Sequence, residues 1–344
     1  MNVSRLLIAA ATTLSISAFS FAATAQEKVT LRVHSFSSPV APEAVHMVLP
    51  FIEKVREESG GRLELEFYPG MQLGGRASDL IQQLEDGVVD FVVTIPGVTP
   101  GRFAGLEGMD MPFTNVGTSA GQTASLLAFA DKWLLDNEFE GIKIIHMHAT
   151  DAGVLHTTRK KIDNAAAMQG LRIRAPGRYV GEAITLLGGT PVGLALGEVY
   201  EALERGQIDG MAINWAIMPS YKFEEVTKFS LETPLYQTPI MVLMRQESYD
   251  NLPDDLKAVI DNNIGIEKSV EVAKKIDELT VQAKQVVKDA GNEIYALDDA
   301  ERTRWIETAT PVYKIWIDEM NSRGLPGQEM FDDILAITAA NGRE

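Results

Sequence analysis

Apolar and polar residues follow one another along the first part of the chain with two different periods. A period of two is typical of a half-buried strand, and apolar residues three or four positions apart indicate an amphipathic helix. The pattern predicts, in order, the strand Val29–His34, a helix with the apolar stripe Val45, Leu49, Ile52 and Val55, the strand Leu63–Phe67, the helix Ala77–Leu84 and the strand Asp90–Thr94. This β-α-β-α-β order predicts a mainly parallel sheet covered by helices.

A second run of the same kind follows, and the last third of the chain changes character. The pattern predicts the strands Ile142–Ala149, Val154–Thr158, Leu171–Ala175 and Met211–Ile213, with helices over Tyr179–Leu187 and Glu198–Arg205. From Asp254 onwards the chain is charged and rich in Ala, Val and Lys, which favours helices. We expect one or two long helices over Asp254–Asp289 and more over Glu301–Met320 and Met330–Ala340.

The length of the chain and one internal similarity indicate two domains. A chain of 344 residues is long enough for two hydrophobic cores. The stretch Leu84–Asp90 parallels Leu203–Asp209, since each has a helix end, a glycine suited to a left-handed turn and the start of a strand. Two lobes built to one plan explain this pairing, and chance recurrence of a common turn is the alternative.

The N-terminus has the pattern of a secretory signal peptide. Arg5 is the only charged residue of the first 26, and an apolar stretch follows it. The stretch ends in Ala23-Thr24-Ala25, the small-x-small pattern of a signal-peptidase site. We therefore expect residues 1–25 to be removed and the mature chain to begin at Gln26, with an amphipathic N-terminal helix as the alternative. No later segment approaches the length of a membrane span, so no stable membrane insertion is expected.

Composition narrows the classes of partner. The chain has 31 Lys and Arg against 48 Asp and Glu, a net charge of −17, and it contains no Cys. An acidic surface argues against nucleic acid and against anionic lipid, both of which favour basic proteins. A chain without Cys needs no disulfide chemistry to fold outside the cytoplasm.

Residue patterns for catalysis or metal binding are scarce. The sequence has no nucleophile elbow, no His-Glu-x-x-His zinc motif and no phosphate-binding loop. His146 and His148 fall on one face of a strand, but without a third ligand such histidines are usually structural. We expect no catalytic residues, no metal and no cofactor.

The stretch Leu171–Tyr179 carries the clearest candidate for ligand binding. Along this strand Arg172 and Arg174 share one face, and Pro176-Gly177 ends the strand. Arg174 therefore lies near the carboxyl end of a parallel strand, where open α/β sheets bind ligands. A guanidinium there can hold a carboxylate through two parallel hydrogen bonds. A solvated arginine at the strand end is the alternative.

Several motifs in the right order resemble the substrate-binding subunits of tripartite ATP-independent periplasmic (TRAP) transporters. The resemblance covers nearly the whole mature chain. The matching stretches are Gly60–Leu63, Tyr68–Gly74, Thr99–Phe103, Met111–Phe113, Met168–Arg174, Glu198–Leu203 and Gly206–Gly210.

This resemblance implies an α/β, two-lobed periplasmic binding protein of the type II kind, with C-terminal helices shared between the lobes. It implies that Arg174 is the family's carboxylate-binding arginine, that the ligand is a small organic acid and that membrane subunits of a TRAP transporter receive it. With the two strand-and-helix runs, it predicts lobe 1 over 26–150 plus 239–278, and lobe 2 over 151–238 plus 279–344. We expect a periplasmic monomer whose lobes close on the ligand by a hinge.

The sequence departs from the family's pattern at positions that would line the site. Leu155 occupies the place of a second ligand-binding arginine, and Leu196 that of an aromatic residue. The family's frequent pocket asparagine falls near Ile213, with Asn214 following. Each change lowers polarity, which favours a monocarboxylate with an apolar or aromatic body. A one-residue slip in the alignment, with another polar group in place, is the alternative.

Further residues at strand ends are expected to complete the site. Trp215 follows the strand Met211–Ile213, and Phe36 follows the first strand, so both are expected to pack the ligand's body. Thr94 ends a strand, and Tyr179 follows the turn after Arg174. The competing functional class is an exported enzyme, such as a lyase acting on an organic acid, because fold alone does not separate the two classes.

Overall fold

The computed structural model describes residues 28–114 and 117–342, and these form two sheets surrounded by helices. The predicted signal peptide lies outside the described residues. In chain order the strands are β1 Val29–Ser35, β2 Leu63–Tyr68, β3 Phe91–Thr94, β4 Ile142–Ala149, β5 Gly153–Thr157, β6 Arg172–Arg174, β7 Thr190–Val192, β8 Gly210–Asn214, β9 Phe229–Tyr236, β10 Pro239–Arg245 and β11 Glu293–Tyr295.

Each sheet contains one strand that runs against all the others. The first sheet has the order β2-β1-β3-β10-β4, and the second has the order β11-β9-β5-β8-β6-β7. In the first, β10 is antiparallel to both of its neighbours, and in the second β5 is. These are the two strands by which the chain enters one lobe from the other. A strand that enters a lobe from the other lobe begins where the neighbouring strands have their carboxyl ends. It therefore runs antiparallel to those neighbours.

The helices confirm an α/β fold; those that were predicted lie within a few residues of the expected positions, whereas the 15-residue helix Ser119–Trp133 was not predicted. A π-helical turn, Ala44–Val48, precedes the first α-helix. In chain order the α-helices are α1 Leu49–Glu58, α2 Leu80–Glu85, α3 Ser119–Trp133, α4 Leu135–Glu138, α5 Ala165–Met168, α6 Arg178–Leu186, α7 Val199–Glu204, α8 Phe223–Val226, α9 Gln246–Asp250, α10 Asp254–Asp261, α11 Ile266–Asp289, α12 Asp299–Ala309, α13 Pro311–Ser322 and α14 Gly327–Asn341. None of these described helices combines the length and the apolar character needed to cross a membrane.

Helix α11 connects the two lobes, as predicted for the C-terminal third. Its 24 residues make a rod about 36 Å long. Near its start Val272 packs against the core of the first sheet. Near its end Ala283 and Val287 pack with Trp215 in a core of the second lobe. One rigid helix thus contacts both lobes.

The last three helices do not all pack in the second lobe, to which the predicted lobe boundaries assigned them. Trp305 of α12 lies in the core of the second sheet, beside Leu155 and Ile173. Trp316 of α13 and Ile334 of α14 lie instead in a core of the first sheet. The predicted second lobe, which included 279–344, therefore differs from the observed packing after α12. An amphipathic stripe shows that a helix is half buried, but not against which of two cores.

Candidate functional site

The carboxyl ends of strands from both sheets meet around a small cavity between the lobes. This inner cavity has a volume of about 60 Å³. An open cleft of about 940 Å³, the outer cleft, continues from it and shares the side chains of Phe36, Ile95, Arg174 and Leu196 with it. The polar residues of the inner cavity are Glu43, His148, Thr150, Arg174, Asn214, Tyr236 and Thr238, and among its apolar residues are Phe36, Ile95, Leu196, Ile213, Ile217 and Ile276.

Arg174 is the only arginine or lysine of the described residues that lines the inner cavity. It ends β6, in which Ile173 points into the core and Arg172 pairs with Asp209 at the strand's other end. The Arg174 guanidinium is buried, and its two hydrogen bonds go to backbone carbonyls: Nη1 donates to Ala212 at 3.3 Å and Nε to Leu194 at 3.5 Å. No carboxylate of the described residues forms an ion pair with it.

A buried guanidinium without a counter-ion can bind an anion. Burial lowers the pKa of Arg174 below its ordinary value, but arginine stays protonated at any physiological pH. Its charge must therefore be balanced inside the cavity, because an unpaired buried charge is costly. The free donor positions of the guanidinium match the two oxygens of a carboxylate.

The nearest acidic groups are held toward their neutral forms. Burial raises the pKa of Asp110 well above its usual range, although the charge of Arg174 opposes that rise. Asp110 Oδ1 accepts a hydrogen bond from Thr238 Oγ1 at 2.8 Å. Burial also raises the pKa of Glu43, which lines the inner cavity. A carboxyl held toward its neutral form offsets less of a neighbouring positive charge than an ionised one does.

Asn214 is held in place by the segment that joins the lobes. Asp151, between β4 and β5, accepts a hydrogen bond from Asn214 Nδ2 at 2.6 Å. The same carboxylate accepts the backbone N–H groups of Trp215 at 2.8 Å and Ala216 at 3.1 Å. Burial raises the pKa of Asp151 to about 6. This carboxylate fixes the end of β8, where Asn214 and Ala216 face the cavity.

Trp215 does not line the cavity, contrary to the expectation from its strand-end position. Its side chain is 1% exposed and meets the ring of His156 edge-on, with ring centroids 4.9 Å apart. Trp215 opens the 3-10 turn Trp215–Ile217. In this turn Asn214, Ala216 and Ile217 face the cavity, so the indole points away into the core.

Three other expected residues also lie outside the cavity lining. Leu155 is buried in the core of the second sheet, on the side covered by helices. Thr94 is fully buried, and its Oγ1 has no hydrogen-bond partner. The Tyr179 hydroxyl donates to Glu319 Oε2 at 3.0 Å, in a network that includes Arg178. A sequence pattern predicts where a strand ends, but it does not predict the direction in which the side chains at that end point.

The expected residues Arg174, Phe36, Asn214 and Leu196 do come together at the cavity. Sequence reasoning missed His148, which lies one residue before the end of the buried strand β4, near the same kind of strand end as Arg174. It missed Tyr236 because the strand β9 was not among those predicted. Gly153 makes room for Tyr236, since a Cβ atom there would lie 2.3 Å from the tyrosine ring. Glu43 has helical backbone angles directly before the π-helical turn Ala44–Val48, and no strand end marks it as a site residue.

The two lobes contact one another at the mouth of the outer cleft. The backbone N–H of Ser38 in the first lobe donates to the Tyr221 hydroxyl in the second at 3.0 Å. Gly97 packs directly on the backbone of the other lobe, where an added Cβ atom would lie 2.9 Å from the Pro176 carbonyl oxygen. The lobes are thus closed over the cavity. The described residues contain no cluster of three or more His, Cys, Asp or Glu side chains that could hold a metal ion.

Comparison with known proteins points to one family. Residues 36–319 match the model of the bacterial extracellular solute-binding proteins, family 7. A C4-dicarboxylate-binding periplasmic protein of Rhodobacter capsulatus is 28% identical over 331 residues, which cover 90% of this chain and 94% of the relative.

Two solved structures of TRAP solute-binding proteins are more similar. One comes from a marine metagenome and is specific for aromatic acid ligands, with metahydroxyphenylacetate bound. It is 34% identical, with a TM-score of 0.87, and the match covers 92% of this chain and 100% of that one. The other, from Rhodoferax ferrireducens, contains copurified benzoate, is 34% identical with a TM-score of 0.86, and the match covers 91% and 98% of the two chains.

Proposed function

Since the chain belongs to family 7 of the bacterial extracellular solute-binding proteins, we propose that it is the periplasmic receptor of a TRAP transporter for an aromatic monocarboxylate. The receptor, a monomer, binds its ligand in the inner cavity and delivers it to the membrane subunits of the transporter. The ligand's carboxylate pairs with Arg174, and its ring lies against the apolar wall that includes Phe36 and Leu196.

The single observation that carries this proposal is the unpaired charge of Arg174. The guanidinium is 7% exposed and has only two long hydrogen bonds to backbone carbonyls. A ligand carboxylate would satisfy both its charge and its free donors. Truncating one partner of such a buried pair typically costs 2–5 kcal/mol of binding.

The composition of the lining supports one carboxylate rather than two. A dicarboxylate would bring a second negative charge into a cavity that has one arginine and no lysine among its described lining residues. The remaining surface is largely aliphatic, and apolar walls with a few placed polar groups suit an apolar ligand body. The 34% identical structures that hold metahydroxyphenylacetate and benzoate support the same ligand class.

Other polar side chains of the cavity lining suit a ring substituent. His148 and Thr238 bring hydrogen-bonding groups to the cavity, and Glu43 is held toward its protonated form, which can donate. A hydroxyl on the ring would find partners there. An unsubstituted ring would leave these groups dependent on water.

A calorimetric series of acids tests the proposal. We expect benzoate and 3-hydroxybenzoate to bind with 1:1 stoichiometry, and succinate and glucuronate to bind at least tenfold more weakly. Ligand and product are followed in the same samples by chromatography, because a receptor returns its ligand unchanged. Tighter binding of succinate than of either aromatic acid, or conversion of the ligand, would refute the proposal.

A further inference from the structure

A second large cavity lies in the first lobe, outside the cleft described above. It has a volume of about 650 Å³ and is enclosed by α1, α11 and the first sheet. We call it the α11 cavity. Its floor is formed by side chains of four different strands of the first sheet, and these are almost fully buried: Val33, Phe91, Ile145 and Val242. This volume falls within the range of small-molecule sites, about 300–1,000 Å³.

The rim of the α11 cavity is basic, although the chain as a whole has a net charge of −17. Lys54 of α1 and Lys268, Lys274 and Lys275 of α11 line it, together with the acids Glu271 and Glu278. Lys268 pairs with Glu271 at 3.6 Å and Lys275 with Glu278 at 2.7 Å, both at exposed positions. Exposed pairs of this kind contribute little.

Lys274 is the rim cation that has no ion-pair partner among the described residues. It is exposed on α11, and no described carboxylate lies within ion-pair distance. Val272, two residues earlier on α11, also lines the cavity and packs, half-buried, on the apolar core below. The lining of the α11 cavity thus combines an apolar floor with an unpaired cation at its rim.

A pair of histidines lies between the α11 cavity and the inner cavity. His146 lines the α11 cavity and His148 lines the inner cavity. His146 Nε2 and His148 Nδ1 are hydrogen-bonded at 3.0 Å. The α11 cavity therefore lies directly behind the carboxylate site but is not part of it.

From this arrangement we propose that the α11 cavity is a second ligand site, which takes an amphipathic monoanion with an apolar chain. The chain lies on the floor formed by Val33, Phe91 and Val242, and the anionic head pairs with Lys274 at the rim. A medium-chain carboxylate has this chemistry. The site uses no residue of the Arg174 cleft.

Decanoate is the probe, and calorimetry on the Arg174→Ala variant separates the two sites. This variant removes the cation of the cleft and leaves the α11 cavity unchanged. We expect decanoate to bind it with the same affinity and 1:1 stoichiometry as it binds the α11 cavity of the wild type. Binding that disappears in Arg174→Ala would mean that decanoate occupies only the cleft, and absence of binding up to millimolar concentrations would overturn the site altogether.

Two matched pairs of variants locate the probe. Val272→Trp fills the cavity and should weaken decanoate binding at least tenfold, while Val281→Trp, at a 71% exposed position of the same helix, should not. Lys274→Glu should weaken it at least threefold, while Lys288→Glu, farther along α11, should not. Equal affinities within both pairs would overturn the proposal. The lysine pair stays informative if Val272→Trp fails to fold.

Discussion

Asn214 donates its side-chain amide to the carboxylate of Asp151 at 2.6 Å, and this hydrogen bond ties the end of β8 to the segment that crosses between the lobes. Two backbone N–H groups of the following turn donate to the same carboxylate. The shape of the cavity on the second-lobe side therefore depends on a residue that does not itself line the cavity. The same crossing segment is where a hinge between the lobes would bend.

Asp151→Ala removes the acceptor of all three of these donors. Buried backbone N–H groups left without an acceptor should lower the free energy of unfolding by about 1–3 kcal/mol. Asn214 also loses its orientation, so ligand binding should weaken. Urea unfolding and calorimetry measure the two effects. Asn214→Ala, which keeps both backbone hydrogen bonds, should lose less stability, and equal losses in the two variants would show that the backbone bonds contribute nothing.

Gly97→Ala tests whether ligand binding requires the closed lobes. The added methyl would lie 2.9 Å from the Pro176 carbonyl oxygen of the opposite lobe, so it opposes closure without touching the cavity. We expect binding about tenfold weaker or more, because a smaller fraction of molecules reaches the closed state. Small-angle scattering should show a larger radius of gyration for the variant than for the wild type at saturating ligand.

Gly193→Ala is the matched control, since Gly193 lines the outer cleft but has open space where a Cβ atom would lie. It should bind like the wild type. If Gly97→Ala shows the larger radius of gyration and still binds like the wild type, closure does not contribute to affinity.

Trp215→Ala is expected to change stability more than binding. Its indole is fully enclosed beside His156 and Phe223 in a core of the second lobe. Truncation of a buried tryptophan should lower the free energy of unfolding by about 3–5 kcal/mol. Phe36→Ala, at a half-buried position of the cavity wall, should instead weaken ligand binding with a smaller loss of stability. Thermal unfolding and calorimetry on both variants distinguish these roles. If Trp215→Ala lost more affinity and less stability than Phe36→Ala, Trp215 would belong to the ligand site.

His148 should make folding sensitive to acid. Burial lowers its pKa from 6.5 to about 4, so between these values the unfolded chain binds a proton that the folded chain does not. Stability is therefore lost as pH falls through this window, by about 1.4 kcal/mol per pH unit for one group. His148→Asn removes this contribution.

Urea unfolding of the wild type and of His148→Asn at pH 7.5, 6 and 5 measures the difference in slope. Titrating groups that do not contact His148 cancel in the comparison, whereas His146, which is hydrogen-bonded to it, does not, so the difference reports the histidine pair. The advantage of the wild type over the variant should shrink below pH 6.5. An advantage independent of pH would mean that His148 is protonated equally in both states.

Much of the fold followed from the sequence because periodicity reports which residues are buried. The strands around Val33, Phe91 and Ile173 and the helices α6 and α11 were predicted within a few residues. The reversed direction of β5 was not predicted, because alternation of apolar and polar residues is the same for both strand directions, and β10 was not predicted as a strand at all. The return of Trp316 to the first lobe was also missed, since burial does not identify the partner core.

The site was predicted in part for a similar reason. Arg174 was predicted at the carboxyl end of a parallel strand because Pro176-Gly177 ends that strand. In the structure Arg174 lines the inner cavity. Trp215 had the same strand-end signal, yet the 3-10 turn rotates its side chain into the core. Direction at a strand end depends on the backbone of the next two or three residues, which side-chain patterns do not encode.

The variants Arg174→Ala and Arg172→Ala form a matched pair on one strand. Arg174 ends β6 inside the cavity without a counter-ion, whereas Arg172 is exposed at the other end and pairs with Asp209 at 3.0 Å. Arg174→Lys is the third variant. It keeps the charge but loses the planar pair of donors, so it should recover only part of the affinity.

Calorimetric titration of 3-hydroxybenzoate into the wild type, Arg174→Ala and Arg172→Ala, with folding checked by circular dichroism, tests the central claim most directly. The account predicts that Arg174→Ala loses about 2–5 kcal/mol of binding free energy and that Arg172→Ala binds like the wild type. Equal affinity of Arg174→Ala and the wild type would contradict the assignment of the carboxylate site.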